Sequence, residues 1–365
     1  MHIERLAIQQ LRNIAQVELN DVARVNIIHG QNGSGKTSLL EAVFCLGYGR
    51  SFRTHQHRQM IQSDANHFTV FANVKGENGD SFKLGFQRDR QGESEIRING
   101  SGGYRLSELA LHVPVQLMTP EGVELVTDGP KARRQFMDWG LFHVEQSQFL
   151  YWQQYAKLLK QRNALLRSGR FDSDGGQYWD QQLAVAGEKL TAARANYLDS
   201  LNERLNSYCR RFLPNMHFEF KLLTGWNEKH GSLLSALAER LDLDRKQGYT
   251  SVGPSKAEWQ IRADGADARE RLSRGQLKLL VAALRFVQGE HYAAVRGTPC
   301  IYLIDDLPAE LDTVNQEKFC NAIAETKSQV FVTAIDKRSL LSHLGDVETR
   351  LFHVEHGTVS DTTTG

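Results

Sequence analysis

No stretch of this 365-residue sequence approaches the roughly 18 consecutive apolar residues a membrane-spanning helix needs, so nothing in it is expected to cross a bilayer. Cysteine is scarce: Cys45, Cys209, Cys300 and Cys320 lie far apart without a Cys-x-x-Cys pair. That argues against a disulfide framework or a zinc knuckle and leaves buried, reduced thiols as the default. Proline is also scarce, at 7 residues, and there is no internal repeat and no long heptad run, which excludes collagen-like and extended coiled-coil architectures. Neither sign of charge dominates. With 44 Lys and Arg against 43 Asp and Glu the net charge is +1, so any basic surface for nucleic acid must be local. The opening Met1-His2-Ile3-Glu4-Arg5 lacks the charged-then-apolar plan of a signal peptide, which predicts a cytoplasmic protein. What remains is ordinary globular composition, 41% hydrophobic and 24% charged. At roughly 150 residues per domain, the length allows about two domains, or one with a substantial insertion.

Three apolar stretches open the chain: Ile3–Gln9, Ala15–Leu19 and Arg24–His29. The last runs into a glycine-rich turn and then Thr37–Leu46, which has helical spacing. Alternating segments at His67–Val74, Phe82–Gln87 and Glu95–Ile98, separated by the turn-rich Gly76–Asp80 and Asp89–Glu93, predict antiparallel strands. Val113–Met118 reads as a further strand. From about residue 121 the period turns helical, with long segments near 130–167 and 177–212 joined by the turn-rich Ser168–Gly176. After residue 215 strand-like and helical pieces mix. They end in a strand at Cys300–Ile304, a helix from about Val314, a strand at Gln329–Thr333 and a hairpin around His356-Gly357, with a frayed tail from Ser360 to Gly365. The expected division is an N-terminal lobe over 1–120, a helical insertion over 121–214 and a C-terminal lobe over 215–365.

Gly30-Gln31-Asn32-Gly33-Ser34-Gly35-Lys36-Thr37 fits the P-loop pattern G-x-x-x-x-G-K-[ST]. The glycines let backbone N–H groups converge on a β-phosphate, aided by the N-terminus of the next helix. Lys36 would reach the β- and γ-phosphates and the Thr37 hydroxyl would ligate Mg2+. The pattern follows an apolar strand and opens a helix, which is the context that gives it meaning. A nucleoside triphosphate, ATP, is the expected ligand. A P-loop also needs an acid at the tip of a neighbouring strand. Ile301-Tyr302-Leu303-Ile304-Asp305-Asp306 supplies four apolar residues for a buried parallel strand and then two carboxylates. Asp305 is assigned to the Mg2+ shell and Asp306 to orienting the attacking water. Asp306 is one methylene shorter than a glutamate, so slow hydrolysis is expected.

Ser273 followed by Gln276 forms a capping box ahead of the amphipathic Leu277–Gln288, 32 residues before Asp305. Read alone it is a well-capped helix. The ordered set of Leu272-Ser273-Arg274-Gly275-Gln276, apolar helix, strand and paired carboxylates resembles the ABC-type ATPases. That resemblance implies a mixed α/β ATPase head, with a P-loop sheet, an antiparallel β subdomain and an inserted α-helical subdomain. It also implies that Ser273, Gly275 and Gln276 bind, in trans, the γ-phosphate held by a second subunit, so that Ser273 joins Lys36 and Asp306 in catalysis. Leu307-Pro308-Ala309-Glu310-Leu311-Asp312 looks like the D-loop of the same class.

Further segments resemble one branch of that class along the whole chain, the RecF family. They are Leu11-Arg12-Asn13, Leu39-Leu40-Glu41-Ala42, Pro120-Glu121, the run from Gly129-Pro130 through Arg133-Arg134 to Asp138, and Lys160–Leu166. Three positions depart from the family pattern: Asp128 in place of glycine, Ala309 in place of serine and Asn315 in place of a basic residue. Thr333-Ala334 stands where transporter ATPases carry a switch histidine, which favours the repair branch. The resemblance adds Arg12 to the nucleotide contacts. For the Q-loop, and so for the metal, the candidate is Gln116, with a satisfied strand-end amide as an equal alternative. It further implies an ATP-dependent homodimer that clamps single-stranded or gapped DNA, action with RecO and RecR, promotion of RecA loading and of the SOS response, and no membrane partner.

Between residues 131 and 170 eight cations face only Asp138 and Glu145. Phosphate contacts supply most non-specific affinity, so Arg133, Arg134, Lys157, Lys160, Arg162 and Arg167 are candidate DNA contacts, with a solvated helix face as the plain alternative. Arg133 and Arg134 could instead pin the insertion to the ATPase core. Tyr151, Trp152 and Tyr155 could stack on bases, although aromatics at helical spacing more often belong to a core. Two other readings are open. A transporter nucleotide-binding subunit should carry a switch histidine and a shorter insertion, and an SMC-type organiser needs hundreds of heptad residues. A P-loop that binds ATP without hydrolysing it is the remaining variant.

Overall fold

The computed structural model describes all residues except 77–78, 173–174, 228, 230 and 364–365. The expected turn at Glu77-Asn78, the Ser173-Asp174 step of the helix connection and the last two residues of the tail therefore lie outside the described residues. The chain runs β1 (His2–Leu11), β2 (Ile14–Asn20), β3 (Val25–His29), α1 (Lys36–Tyr48), β4 (His67–Lys75), β5 (Ser81–Asp89), β6 (Ser94–Ile98), α2 (Leu106–His112) and β7 (Val115–Met118). It continues through α3 (Glu124–Thr127), α4 (Pro130–His143), α5 (Gln146–Ser168), α6 (Gly176–Phe212), β8 (Phe218–Leu223), α7 (Leu233–Gln247), β9 (Glu258–Ala263), β10 (Ala266–Asp267), α8 (Ala268–Arg271) and α9 (Arg274–Arg296). It closes with β11 (Ile301–Ile304), α10 (Thr313–Glu325), β12 (Gln329–Ala334), α11 (Arg338–Leu344), β13 (Thr349–Glu355) and β14 (Thr358–Asp361).

Two compact units result. One comprises residues 1–122 and 278–365, the other 123–277. In the first, five antiparallel strands are ordered β2-β1-β4-β5-β6 and a six-stranded sheet is ordered β14-β13-β3-β12-β11-β7. From β13 to β7 every neighbouring pair is parallel. Strands β3, β11 and β12 are buried on both faces, which is why they read as apolar runs without alternation. Helix α1 packs on both sheets, so its apolar residues occupy the whole circumference from Leu39 to Leu46 instead of one stripe.

In the second unit α4, α5 and α6 pack together beside the small sheet β10-β9-β8. Phe136 stacks on Trp259 at 5.1 Å, joining α4 to β9. Residues 215–277, assigned by sequence to the C-terminal lobe, group here with the helices because β8 and β9 pair with each other and pack on α4 and α6. The helical stretch read across 130–167 is two helices broken at Val144-Glu145. No Gly or Pro marks that break; Phe142 meets Phe149 edge-on at 5.0 Å across the corner. The tail is ordered further than expected. Ser360 and Asp361 belong to β14, Thr362 N–H donates to the Leu351 carbonyl at 2.7 Å, and Leu351 N–H donates to Thr363 Oγ1 at 2.9 Å.

Candidate functional site

The turn after β3 and the first turn of α1 open on a cavity of about 580 Å3, lined among others by Arg12, Asn32, Gly33, Gly35, Lys36, Thr37 and Asp306. Gly30, Gly33 and Gly35 hold φ of 154, 79 and 121°, a region that disfavours any side chain. A Cβ on Gly30 would lie 2.3 Å from the Val354 carbonyl oxygen, so β13 fixes that glycine from outside the loop. The Lys36 ammonium turns back onto the loop, donating to the carbonyls of Gly30 at 2.9 Å and Gln31 at 3.1 Å. Ser34 Oγ is buried and has no hydrogen-bond partner among the described residues.

Strand order brings the carboxylates to this loop. β12 lies between P-loop strand β3 and β11, and Asp305-Asp306 follow the last residue of β11. Thr37 Oγ1 donates to Asp305 Oδ1 at 3.1 Å, joining the first turn of α1 to the end of β11. Burial pushes the Asp305 carboxyl above its ordinary value, with Asp306 adding to the rise, while bonds from Thr333 and Thr37 and the charge of Arg53 oppose it. Asp306 sits at φ 47°, a left-handed conformation a non-glycine residue seldom adopts, and its side chain lines the cavity. Its N–H donates to Thr333 Oγ1 at 2.8 Å, and the same hydroxyl lies 2.9 Å from Asp305 Oδ1 and 3.2 Å from Asp306 Oδ1. Thr333, from the intervening strand, thus braces both acids.

The donor set fits a small hard cation. Mg2+ takes hydroxyl, carboxylate, water and phosphate oxygens, and Thr37 and Asp305 supply the first two in mutual contact.

Gln116 is corrected by the structure. It is the second residue of β7, level with Tyr302, and fully buried. Its amide donates to Gln288 at 3.1 Å and accepts from Arg285 at 3.4 Å, so it is committed inside the sheet and does not reach a metal. Arg12 lines the cavity but holds Glu41 in a two-pronged pair at 2.9 and 2.8 Å and donates to the Gln59 carbonyl. The capping box forms as read: Ser273 N–H donates to Gln276 Oε1 at 2.9 Å, and Gln276 N–H donates to Ser273 Oγ at 3.3 Å. Ser273, Arg274 and Gly275 are exposed at the start of a 23-residue helix.

Two of the proposed DNA contacts are interior residues. Arg162 is completely buried, donating to Asp180 at 2.5 Å, Asp244 at 2.7 Å and Thr250 at 3.0 Å. Arg133 pairs with Glu258 at 2.5 and 2.7 Å and donates to the carbonyls of Leu125 and Val126. Arg134, half-buried, donates to the Ala257 carbonyl at 2.8 Å. These arginines tie their own unit together, and a guanidinium so bonded does not meet a phosphate. Lys157, Lys160 and Arg167 stay exposed. Of the aromatics, Tyr155 is core, Trp152 donates to Asp138 at 3.0 Å, and Tyr151 lies under the Lys189 ammonium.

Residues given no site role in the sequence reading also line the cavity: Asn13, Arg53, Gln59 and Gln62. A signal for the last three existed. Residues 42–63 contain no acid, yet include Arg50, Arg53 and Arg58.

A P-loop at the end of a parallel strand, paired acids two strands away and a second, antiparallel sheet over the same helix define a P-loop ATPase head of the ABC and SMC class. Residues 2–360 match the family model described as RecF/RecN/SMC N terminal domain. The DNA replication and repair protein RecF of Shewanella denitrificans is 42% identical, and that of Idiomarina loihiensis 44%, each over 99% of this chain and 99% or more of its own length. A solved structure of the recombination mediator protein RecF with ATP, from the RecFOR pathway, superposes with a TM-score of 0.87 at 26% identity, over 99% of this chain and 98% of that one. An SMC head solved with the winged-helix domain of ScpA shares the fold, with a TM-score of 0.62 at 16% identity. The chain belongs to the RecF family of DNA replication and repair proteins.

Proposed function

We propose that this protein is an ATP-dependent DNA-binding protein of recombinational repair whose ATP-bound form is a homodimer. The observation that carries the reading is the contact of Thr37 with Asp305, beside Lys36 and Asp306 at one cavity. Lys36 leaves the loop carbonyls and turns to the β- and γ-phosphates, while the N-terminus of α1 faces the same charge. Thr37 and Asp305 would hold Mg2+, which would supply neutralisation of phosphate charge. Asp306 orients the attacking water. The exposed Ser273 and Gly275, with the half-buried Gln276, cap the γ-phosphate of the opposite subunit, so each site is completed by the second chain.

On this reading ATP closes the dimer on single-stranded or gapped DNA, and slow hydrolysis releases it. DNA contacts are drawn from Lys157, Lys160 and Arg167, the candidate contacts that remain exposed. The relatives' names and the RecFOR pathway named for the solved neighbour support a role in DNA replication and recombinational repair. Action with RecO and RecR, RecA loading, replication restart and the SOS response, in the cytoplasm, are part of the proposal. No helix among the described residues is long and apolar enough to cross a membrane. The test is sedimentation of the Asp306→Asn variant, slowed in hydrolysis, with Mg2+ and ATP and with or without a gapped duplex at low salt. A dimer that takes up DNA only with ATP is expected. A chain that stays monomeric with ATP and ignores DNA overturns the proposal.

A further inference from the structure

Three segments far apart in sequence meet at one carbonyl of the P-loop. The Ser34 carbonyl oxygen accepts from Asn13 Nδ2 at 2.9 Å and from the backbone N–H of Gly357 at 2.8 Å. Asn13 belongs to the two-residue turn between β1 and β2, and Gly357 to the turn between β13 and β14. A carbonyl oxygen has two lone pairs, so this one is fully engaged. The junction leaves no spare room. A Cβ on Gly357 would lie 2.1 Å from the Asn13 carbonyl oxygen, and one on Gly35 would lie 3.0 Å from Asn13 Nδ2. The Asn13 amide oxygen meanwhile accepts from Ser38 Oγ at 3.2 Å, so one side chain spans the loop and the first turn of α1.

The consequence follows from peptide planarity. In a trans peptide the C=O and the N–H of the same plane point in opposite directions. Holding the Ser34 oxygen on Asn13 and Gly357 therefore fixes the Gly35 N–H on the opposite side of the peptide plane, and Gly35 lines the cavity whereas Ser34 does not. A glycine-rich loop would otherwise rotate such a plane at small cost. A donor aimed before the anion arrives loses nothing to reorganisation.

We infer that Asn13 and the tip of the C-terminal hairpin are positioning elements for the nucleotide, fixing the Ser34–Gly35 peptide so that the Gly35 N–H is presented to phosphate. The inference rests on the ATP reading of this site. It is tested by titrating the wild-type chain with a fluorescent ATP analogue and Mg2+, beside Asn13→Ala, Gly357→Ala and the double variant. Asn13→Ala should weaken binding about tenfold, as for a lost hydrogen bond to a charged group, with the thermal midpoint within about 3 °C of wild type. Gly357→Ala, whose methyl drives the hairpin tip off Asn13, should weaken it by a similar factor. The double variant should lose little more than either single one, because both act on one carbonyl. Asn13→Asp keeps the shape and the acceptor toward Ser38 but not the donor, and should lose at least as much if Asn13→Ala fails to fold. Wild-type affinity in Asn13→Ala or Asn13→Asp, or losses that multiply in the double variant, overturn the inference while leaving the site intact. A wild-type chain that does not bind the analogue overturns the ATP reading itself.

Discussion

Thr333→Val tests whether the paired acids are held from the strand between them. Thr333 is fully buried, and valine has nearly its shape, so packing changes little and the loss is polar. Its hydroxyl carries one proton, given to Asp305 or Asp306, and it accepts the Asp306 N–H at 2.8 Å. Removing it strips one carboxylate of a donor and leaves a part-buried N–H unpaired, together roughly 2–4 kcal/mol. For a unit of this size that is a fall in melting midpoint on the order of 10 °C. Catalysis should suffer separately. Asp306 sits at φ 47°, a conformation costing about 1–2 kcal/mol that persists only while its surroundings impose it. Freed of its N–H bond, the residue relaxes and its carboxylate leaves the water. Single-turnover hydrolysis at saturating ATP and Mg2+ should drop at least about tenfold, while ATP affinity, carried by Lys36 and the loop, stays within about threefold. Thr333→Ser should restore both. A Thr333→Val protein with wild-type melting and wild-type turnover would refute the reasoning.

Lys36→Ala should abolish ATP binding in equilibrium titration, whereas Ser273→Arg should leave binding intact and prevent ATP-induced dimerisation in sedimentation. Arg162→Ala leaves Asp180 and Asp244 buried without their cation and should cost about 3–5 kcal/mol in denaturant unfolding. By contrast, Lys157→Ala with Lys160→Ala should leave melting unchanged and reduce the salt slope of DNA binding by roughly 1–2. Burial pushes the thiols of Cys209, Cys300 and Cys320 up to about 12. At pH 8 about one molecule in ten thousand is then a thiolate at each, and a thiol reagent should label the native protein no faster than it unfolds.

What sequence reading recovered was chemistry compressed into short segments. The P-loop, the strand that ends in Asp305-Asp306 and the Ser273–Gln276 cap each consist of neighbours whose spacing dictates local geometry, and each forms as read. Buried parallel strands were legible for a similar reason, since a strand covered on both faces must be apolar throughout. Thr333 was noticed only for not being a histidine. Its role comes from lying between β3 and β11, an order that no local pattern encodes. The contact of Gly357 with the P-loop is likewise a product of β13 pairing in parallel with β3. The break after His143 lacks Gly and Pro, so helical periodicity ran through it.

The basic stripe shows how a charge count misleads. Counting residues 131–170 gave a large positive excess because the window held the arginines and not their partners. Arg133 is answered by Glu258, and Arg162 by Asp180 and Asp244, between 18 and 125 residues away. A buried guanidinium must be paired, since an unpaired one costs several kcal/mol in desolvation. Interior arginines therefore bring their own counter-charges and add nothing to the field outside. Lysine behaves differently, because its ammonium is strongly hydrated and its flexible stem keeps the head in water. In an α-helical segment of this kind, lysines and helix-end arginines such as Lys157, Lys160 and Arg167 are the charges that survive folding as surface. A phosphate backbone meets only those, so DNA affinity should follow the exposed lysines and be indifferent to the arginine network except through stability.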